Sequence, residues 1–429
     1  MNFLFLRRKM IQQNKLNLKK LIYYLILIYM VFLVSMPHKF NNAILHLVSV
    51  LGIYISFKER INSFQMEHLK IISWITVIYF FWLLFTTIVS ASNLEDLDPM
   101  RVHLFYLFAP FIFLAIWFSN IDLKKIIYLL KIGILLTVSI TLFQYIFEVA
   151  EGTYWRRPSG FVNANILGSI LALMTFLSVS NYQNEDKKSK LLSKIVLITA
   201  IIGLAINGSR GAWIIALVLF LLNSLVFIKD FSKLERLKYF SIFLVIMVIF
   251  ASLPNVQKRI NSAVEEYREF NHINYTDAKY QDLSHPEFQR LKSITLRIFL
   301  WEAGLTASLD HPKFGVGYGQ TMPYLISKTK IPVLVEHDDI LHNDYLEVLM
   351  AAGFPGLILL LLCLLWPMKV FYKSLRKNEL VGYLGILLCV GVGIAGLSHG
   401  ALTHKYISGF YILLLGFLFT AKEKSCYKI

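Results

Sequence analysis

Long runs of hydrophobic residues, separated by short polar connections, fill most of this chain. A helix needs about 20 mostly apolar residues to cross about 30 Å of hydrocarbon, and about 12 of the runs approach that length. The pattern predicts an all-α integral membrane protein with about 12 transmembrane helices. The expected spans are Leu21 to Met36, Asn42 to Phe57, Leu69 to Ala91, Val102 to Phe118, Ile126 to Val149, Phe161 to Asn181, Leu191 to Asn207, Ala212 to Ile228, Leu237 to Leu253, Tyr345 to Met368, Leu380 to Leu397 and Leu402 to Thr420.

Lysine and arginine are concentrated in alternate connections, beginning with the segment before the first span. Cytoplasmic connections of membrane proteins carry such an excess, so the amino terminus is expected in the cytoplasm. The formal net charge of +16 then reflects topology and attraction to anionic membrane lipids, and nucleic acid binding is not expected. With 56% hydrophobic and only 16% charged residues in 429, the composition excludes a soluble globular protein.

One long segment, residues 254–343, contains no run of membrane length. The expected organisation is a basic cytoplasmic N-terminus (1–20), nine transmembrane helices (21–253), one large periplasmic loop containing short helices (254–343), three further transmembrane helices (344–421) and a cytoplasmic tail (422–429). A polar loop of this length is usually functional. Residues that bind a ligand or act in catalysis are therefore expected in and around this loop.

Arginines on the expected outer side are few, and a charge at bilayer depth costs about 2.5–3.5 kcal/mol, so each needs a partner or a purpose. Arg210 lies in the compact turn from Asn207 to Ala212, where glycines allow close approach to a ligand and Ser209 is available to cap the next helix. This arrangement suits an anion. A capped turn whose arginine reaches lipid headgroups is an equally good interpretation. The outer arginines considered are Arg156, Arg157, Arg210, Arg290 and Arg297.

Arg297 belongs to a second pattern, in which Ile294, Arg297, Trp301 and Gly304 recur at helical spacing. The spacing predicts a short amphipathic helix at the membrane surface, with the arginine near lipid phosphates. Trp301 is expected to be an interfacial anchor rather than a platform for substrate. The glycines from His311 to Gly319 have no preceding strand, so they indicate a turn rather than a nucleotide loop.

His342 stands just before the tenth span, followed by Asn343. Histidine has a pKa suited to proton transfer near neutrality, so His342 is the leading candidate for a base, with His399 and His404 as competitors. Capping the helix or binding interfacial water is the plainer alternative. Asn163 and Asn165 suit sugar hydroxyls or, more simply, a neighbouring helix. No histidine and carboxylate spacing matches a zinc helix, so no metal is expected.

Taken together in order, these motifs resemble the O-antigen ligase superfamily, which includes O-antigen ligases, related polysaccharide polymerases and O-linked oligosaccharyltransferases. The resemblance runs from about Arg157 to the last span and rests on order and spacing, since no motif is unique alone. The motifs that carry it are Pro158-Ser159-Gly160-Phe161 with Asn165 and Gly168, Gly208-Ser209-Arg210-Gly211, Leu296-Arg297 with Trp301-Glu302-Ala303-Gly304, His311-Pro312-Lys313-Phe314-Gly315, and Leu341-His342-Asn343-Asp344-Tyr345-Leu346-Glu347 leading to Gly353 and Gly356.

The resemblance implies a metal-independent glycosyltransferase without a cofactor, which takes glycan from undecaprenyl diphosphate on the periplasmic face of the bacterial inner membrane. By matching positions, Arg210 and Arg297 would bind the diphosphate and His342 would be the essential histidine. Possible supporting residues are Ser209, Asn163, Asn165, Arg157, Asn343 and His399. A single base acting against a good leaving group suggests direct displacement with inversion.

Within the superfamily, the leading expectation is an O-antigen ligase whose acceptor is a lipid A core sugar. A polymerase that extends a growing glycan on the same carrier is the nearest alternative. An O-linked oligosaccharyltransferase is more remote, and so is a flippase for lipid-linked glycan, which would need cationic residues along a central cavity rather than at one mouth.

Overall fold

The computed structural model describes residues 2–61, 63–151, 158–180, 182–227, 232–270, 294–328, 341–377 and 379–426. All regular elements within these ranges are helices, which confirms the all-α prediction. The α-helices are α1 (Asn2–Phe32), α2 (His38–Glu59), α3 (Glu67–Ser90), α4 (Leu104–Ser119), α5 (Leu123–Ala150), α6 (Ala164–Val179), α7 (Lys187–Asn207), α8 (Arg210–Phe227), α9 (Lys233–Ser252), α10 (Pro254–Phe270), α11 (Ile294–Asp310), α12 (Thr321–Lys328), α13 (Asp344–Leu375), α14 (Leu380–Ser398) and α15 (Lys405–Cys426).

Each of the expected spans overlaps one helix, from α1 to α9 and from α13 to α15. Among the described residues, 8 helices are long and apolar enough to cross a membrane, while α6 and α8 are shorter apolar helices. These helices establish an integral membrane protein, whereas the count of 12 spans stays a prediction. The helices of full length are α2, α3, α5, α7, α13, α14 and α15, together with the continuous span Leu94–Ser119, in which a 3-10 helix (Leu94–His103) leads into α4.

The centre of the bundle is formed by α15, which packs against α4, α3 and α14. Its apolar side chains, including Phe410, Tyr411 and Phe419, are fully buried, so helix covers it on every side. Small residues allow the neighbouring helices to approach closely. A Cβ at Gly385 of α14, for example, would stand 2.1 Å from the ring of Phe371 in α13.

A buried lysine lies within α5, although few cations are expected inside a membrane span. The Lys131 side chain is 3% exposed and its Nζ lies 2.5 Å from Glu185, which also accepts a hydrogen bond from the Ser193 hydroxyl at 2.7 Å. Burial of a charge requires such partners. Because Glu185 directly precedes α7, the pair lies near the lysine-rich end of the bundle and does not line a path through its centre.

The opposite end of the bundle, which we call the site end, gathers the C-termini of α7 and α14 and the N-termini of α8, α13 and α15. Asp344, the first residue of α13, holds this end together. Its buried carboxylate accepts hydrogen bonds from the backbone N–H groups of Ala401, Leu402 and Thr403, and from the Thr403 hydroxyl.

The segment from His311 to Gly319 lies against the same end and contains a turn, as expected. The N–H groups of Val316 and Gly317 donate to the carbonyls of Met350 and Ala351, at 2.9 and 2.8 Å. These bonds are possible because Gly353 adopts φ 67° and interrupts the helical path of α13. The glycines of this segment therefore serve close backbone packing.

Candidate functional site

A small polar cavity of about 50 Å³ lies at the site end. Since one water-sized group needs about 10–15 Å³, the cavity has room for a phosphate-sized group rather than for a sugar ring. Residues from α6, the α7–α8 turn, α10, α11 and α14 contribute to its wall. The lining residues are Asn165, Ser209, Arg210, Gly211, Arg259, Arg297, Ser398 and His399.

The turn between α7 and α8 presents Arg210 to the cavity. Gly208 ends α7 in the left-handed conformation, with φ 66°, and its N–H donates to the Leu204 carbonyl at 3.2 Å. The Ser209 hydroxyl donates to the Asn165 side chain of α6 at 3.2 Å, so it links the α7–α8 turn to α6. A Cβ at Gly211 would stand 2.6 Å from the Ser398 hydroxyl, so this glycine serves contact with α14.

The two asparagines before α6 have different roles. Asn163 is exposed and caps the helix by accepting a hydrogen bond from the Asn165 N–H at 2.8 Å. It does not line the cavity, whereas Asn165 does. Asn163 thus caps its own helix and does not contact a neighbouring one, whereas Asn165 bonds to Ser209 of the α7–α8 turn and also lines the cavity.

Arg297 reaches the cavity from α11, the helix that its spacing predicts. Leu300 and Ala307 on this helix are fully buried against a small second core that includes Leu341. The Trp301 indole donates to the Leu341 carbonyl at 3.0 Å. The tryptophan therefore ties the Arg297 helix to the residue before His342, a contact that the sequence did not predict.

His342 is half-buried and has φ 53°, a left-handed conformation that is uncommon outside glycine. The following Asn343 caps α13, because its side chain accepts from the N–H groups of Tyr345 and Leu346 at 3.1 and 3.2 Å. The structure thus assigns helix capping to Asn343 and not to His342. His342 does not line the cavity itself.

His399 forms part of the cavity wall and is 4% exposed. Its Nδ1 lies 3.0 Å from the Ser398 hydroxyl, and its buried Nε2 has no hydrogen-bond partner among the described residues. Burial, together with the charges of Arg297, His404 and His342, lowers the pKa of His399 to about 3. His399 is therefore neutral, and His342 lies near enough to act on it electrostatically.

His404, the other competitor, takes part in the start of α15. Its Nδ1 accepts from the Tyr406 N–H at 3.4 Å, its carbonyl accepts from Ser408, and its ring stacks on that of Tyr406. It is not among the cavity residues. The structure favours His399 over His404 as the second histidine of the site.

Two charged residues of α10, Arg259 and Glu266, were missed by the sequence analysis. The Arg259 Nε donates to the Gly208 carbonyl at 3.3 Å, so the large loop folds back over the α7–α8 turn. Glu266 accepts from the Ser262 hydroxyl at 2.9 Å and lies 3.9 Å from Arg210. Positions 259, 262 and 266 share one helical face, and this periodicity directly after the ninth span was the available signal.

Some of the candidate residues lie outside the described part of the chain. These are Arg156, Arg157 and Arg290. Among the described residues, no group of three or more histidine, cysteine or acidic side chains is placed to hold a metal ion.

The site thus combines cationic and neutral polar groups in a confined space. Arg210, Arg259 and Arg297 come from three separate segments, and only the tertiary structure brings them together. Guanidinium groups bind phosphate oxygens through paired, charge-assisted hydrogen bonds. The neutral imidazole of His399 lies beside them, and His342 lies nearby. The arrangement can bind an anion and assist proton transfer next to it.

Comparison with known proteins finds similarity over most of the chain. The O-antigen ligase family model matches residues 195–361, a range that includes Arg210, Arg297 and His342. The chain is 25% identical over 421 residues to an uncharacterised protein of Haemophilus influenzae, covering 94% of this chain and 98% of that protein. It is 24% identical over 307 residues to a ComP-specific O-oligosaccharyltransferase of Acinetobacter baylyi, covering 70% of this chain and 51% of the transferase, so the similarity spans about half of that relative. The chain therefore carries a segment, residues 195–361, that matches the O-antigen ligase family.

Proposed function

We propose that this protein is an inverting, metal-independent glycosyltransferase that moves glycan from undecaprenyl diphosphate to an acceptor hydroxyl. The observation that carries the proposal is the cavity in which Arg210 and Arg297, far apart in sequence, meet beside His399 and close to His342. Cations fixed around a phosphate-sized space suit a diphosphate leaving group, whose charge grows as the glycosidic bond breaks.

In the proposed reaction, His342 takes the proton of the acceptor hydroxyl as its oxygen attacks the anomeric carbon. The bond between that carbon and the phosphate oxygen breaks, and its electron pair stays on the diphosphate. Arg210 and Arg297 stabilise this charge. The left-handed backbone of His342 and the Asn343 cap that follows it fix the backbone from which the imidazole projects, at the N-terminus of α13. Inversion is expected because one displacement suffices.

The site end is proposed to face the periplasm, with the protein in the bacterial inner membrane. The distribution of lysines supports this orientation, since lysine-rich connections such as that before α7 lie at the other end. Reporter fusions at Gly208 and at Tyr318 test it. Both fusions should report a periplasmic position, and a cytoplasmic position of either one would contradict the transferase proposal.

The first candidate for the acceptor is a sugar of the lipid A core, which would make the protein an O-antigen ligase. A second candidate is a protein hydroxyl, favoured by the similarity to the O-oligosaccharyltransferase of Acinetobacter baylyi. A deletion strain distinguishes the acceptors. Loss of polymer from lipid A core, with polymer kept on the carrier, supports the ligase, and loss of glycan from a protein supports the second candidate. Accumulation of single repeat units would instead indicate a polymerase.

The role of His342 is tested with purified protein, a lipid-linked glycan donor and an acceptor glycan. A general base typically contributes about 10²- to 10⁴-fold, so His342→Ala should lose transfer by that factor and keep donor binding. Arg210→Ala and Arg297→Ala should weaken donor binding as well. His311→Ala is the matched control, because His311 is an exposed histidine of the same loop. Transfer by His342→Ala at the rate of His311→Ala would refute the assigned base.

A further inference from the structure

We propose that Arg259 is a third phosphate-binding residue of the donor site, placed there by the amphipathic helix α10. This inference rests on the proposed function and extends it to a residue outside the motifs that carry the family resemblance. Arg259 lines the same cavity as Arg210 and Arg297. The Arg259 Nε donates to the carbonyl of Gly208, which lies two residues before Arg210. The hydrogen bond therefore holds the Arg259 side chain against the turn that carries Arg210.

The helix α10 has two distinct faces that fix how Arg259 is presented. Arg259, Ser262 and Glu266 lie on the face that meets the α7–α8 turn. The apolar residues Ile260 and Val264 are each 43% exposed. An exposed apolar face beside a polar one is typical of a helix lying in the plane of the membrane interface. In that position, α10 holds Arg259 at the depth where a lipid-linked diphosphate emerges from the bilayer.

The charge at the cavity matches that of the donor when Arg259 is included. A glycosyl lipid diphosphate is a diester with two negative charges. Counting only the residues that the structure describes at the cavity, three guanidinium groups and the nearby Glu266 carboxylate leave two positive charges, whereas Arg210 and Arg297 with Glu266 would leave one. After the sugar departs, the lipid diphosphate gains a terminal phosphate whose second ionisation lies near pH 6, so it approaches three negative charges. Arg259 therefore binds the leaving group more strongly than the intact donor.

The experiment measures binding of undecaprenyl diphosphate, the leaving group itself, to the full-length protein in detergent. Its use removes any dependence on the unknown sugar. Arg259→Gln should weaken binding by about 10- to 100-fold, which is the effect of losing charge-assisted hydrogen bonds. Arg268→Gln is the matched control, because Arg268 lies exposed on the same helix and the change in charge is identical. Its affinity should equal that of the wild type.

A second variant and a second lipid complete the test. Arg259→Lys keeps the charge but lacks the guanidinium fork and the Nε bond, so it should lose several-fold in affinity. If Arg259→Gln fails to fold, the lysine variant decides, since wild-type affinity would overturn the inference. Phosphatidylglycerol is the second probe. A loss of its binding in Arg259→Gln without a loss of undecaprenyl diphosphate would assign Arg259 to membrane headgroups and overturn the proposal.

The failure of this inference and the failure of the proposed function give different results. If wild-type protein binds undecaprenyl diphosphate, Arg210→Ala does not, and Arg259→Gln binds like Arg268→Gln, then only the role of Arg259 is wrong. If wild-type protein does not bind the lipid diphosphate more tightly than Arg210→Ala, the proposed donor itself is wrong.

Discussion

The carboxylate of Asp344 is expected to be the principal structural support of the site. It is fully buried at the start of α13, two residues after His342. Its Oδ2 accepts from Ala401 and Leu402 at 2.9 and 2.7 Å, and its Oδ1 accepts from the N–H and hydroxyl of Thr403 at 3.1 and 2.7 Å. These bonds fix the turn between His399 and the start of α15.

The substitution Asp344→Asn tests this role with almost no change in volume. The amide has only one acceptor oxygen, so its NH₂ group must face two of the four donors. Hydrogen bonds to a charged group contribute about 1.5–3 kcal/mol each, and the loss is partly offset because a buried charge is removed. We expect the free energy of unfolding to fall by about 2–4 kcal/mol. Thr403→Val removes one of the four bonds and should cost about 1.5–3 kcal/mol.

The assay is thermal unfolding in detergent at a fixed scan rate, followed by tryptophan fluorescence. Asp98→Asn serves as the control, because Asp98 is 59% exposed and forms only a surface ion pair with Arg101. The expected order of apparent unfolding temperature is Asp344→Asn lowest, Thr403→Val next, and Asp98→Asn equal to wild type. Asp344→Asn should also reduce glycan transfer, because both histidines adjoin the turn. An apparent unfolding temperature of Asp344→Asn equal to that of Asp98→Asn would refute the reasoning.

Two further predictions concern the charge of the site. Glu266 lies 3.9 Å from Arg210 at a partly exposed position, where ion pairs contribute up to about 1 kcal/mol, so Glu266→Gln should bind undecaprenyl diphosphate up to about fivefold more tightly. Unchanged or weaker binding would contradict competition between this carboxylate and the donor. The pKa of His399 falls from 6.5 to about 3 on folding, so below pH 6.5 the unfolded chain takes up a proton that the folded protein does not. The contribution of His399 to the free energy of unfolding should therefore fall by at most about 1.4 kcal/mol per pH unit on acidification. The difference in unfolding temperature between wild type and His399→Asn should become smaller as the pH is lowered from about 7.5 to about 5. A difference independent of pH would show that His399 is not buried in its neutral form.

The resemblance to the O-antigen ligase family was accessible from the sequence because local motifs carry it. The Gly208 to Gly211 turn and the helix around Arg297 were expected and are present. The contacts of Ser209 and Trp301 were not predicted because their partners are distant in the chain. Asn165 lies 44 residues from Ser209, and Leu341 lies 40 residues from Trp301. Spacing within one helix cannot predict such contacts.

The sequence by itself determined that this is an all-α membrane protein, because runs of apolar residues of membrane length can satisfy their backbone hydrogen bonds only as helices. It also determined where the candidate arginines and histidine stand along the chain. The tertiary structure decided which of them meet. Arg259 joins Arg210 because α10 folds back over the α7–α8 turn, and His399 rather than His404 lines the cavity because Asp344 fixes the turn that follows it. These contacts join segments far apart in sequence, so they depend on how the helices pack rather than on any local pattern.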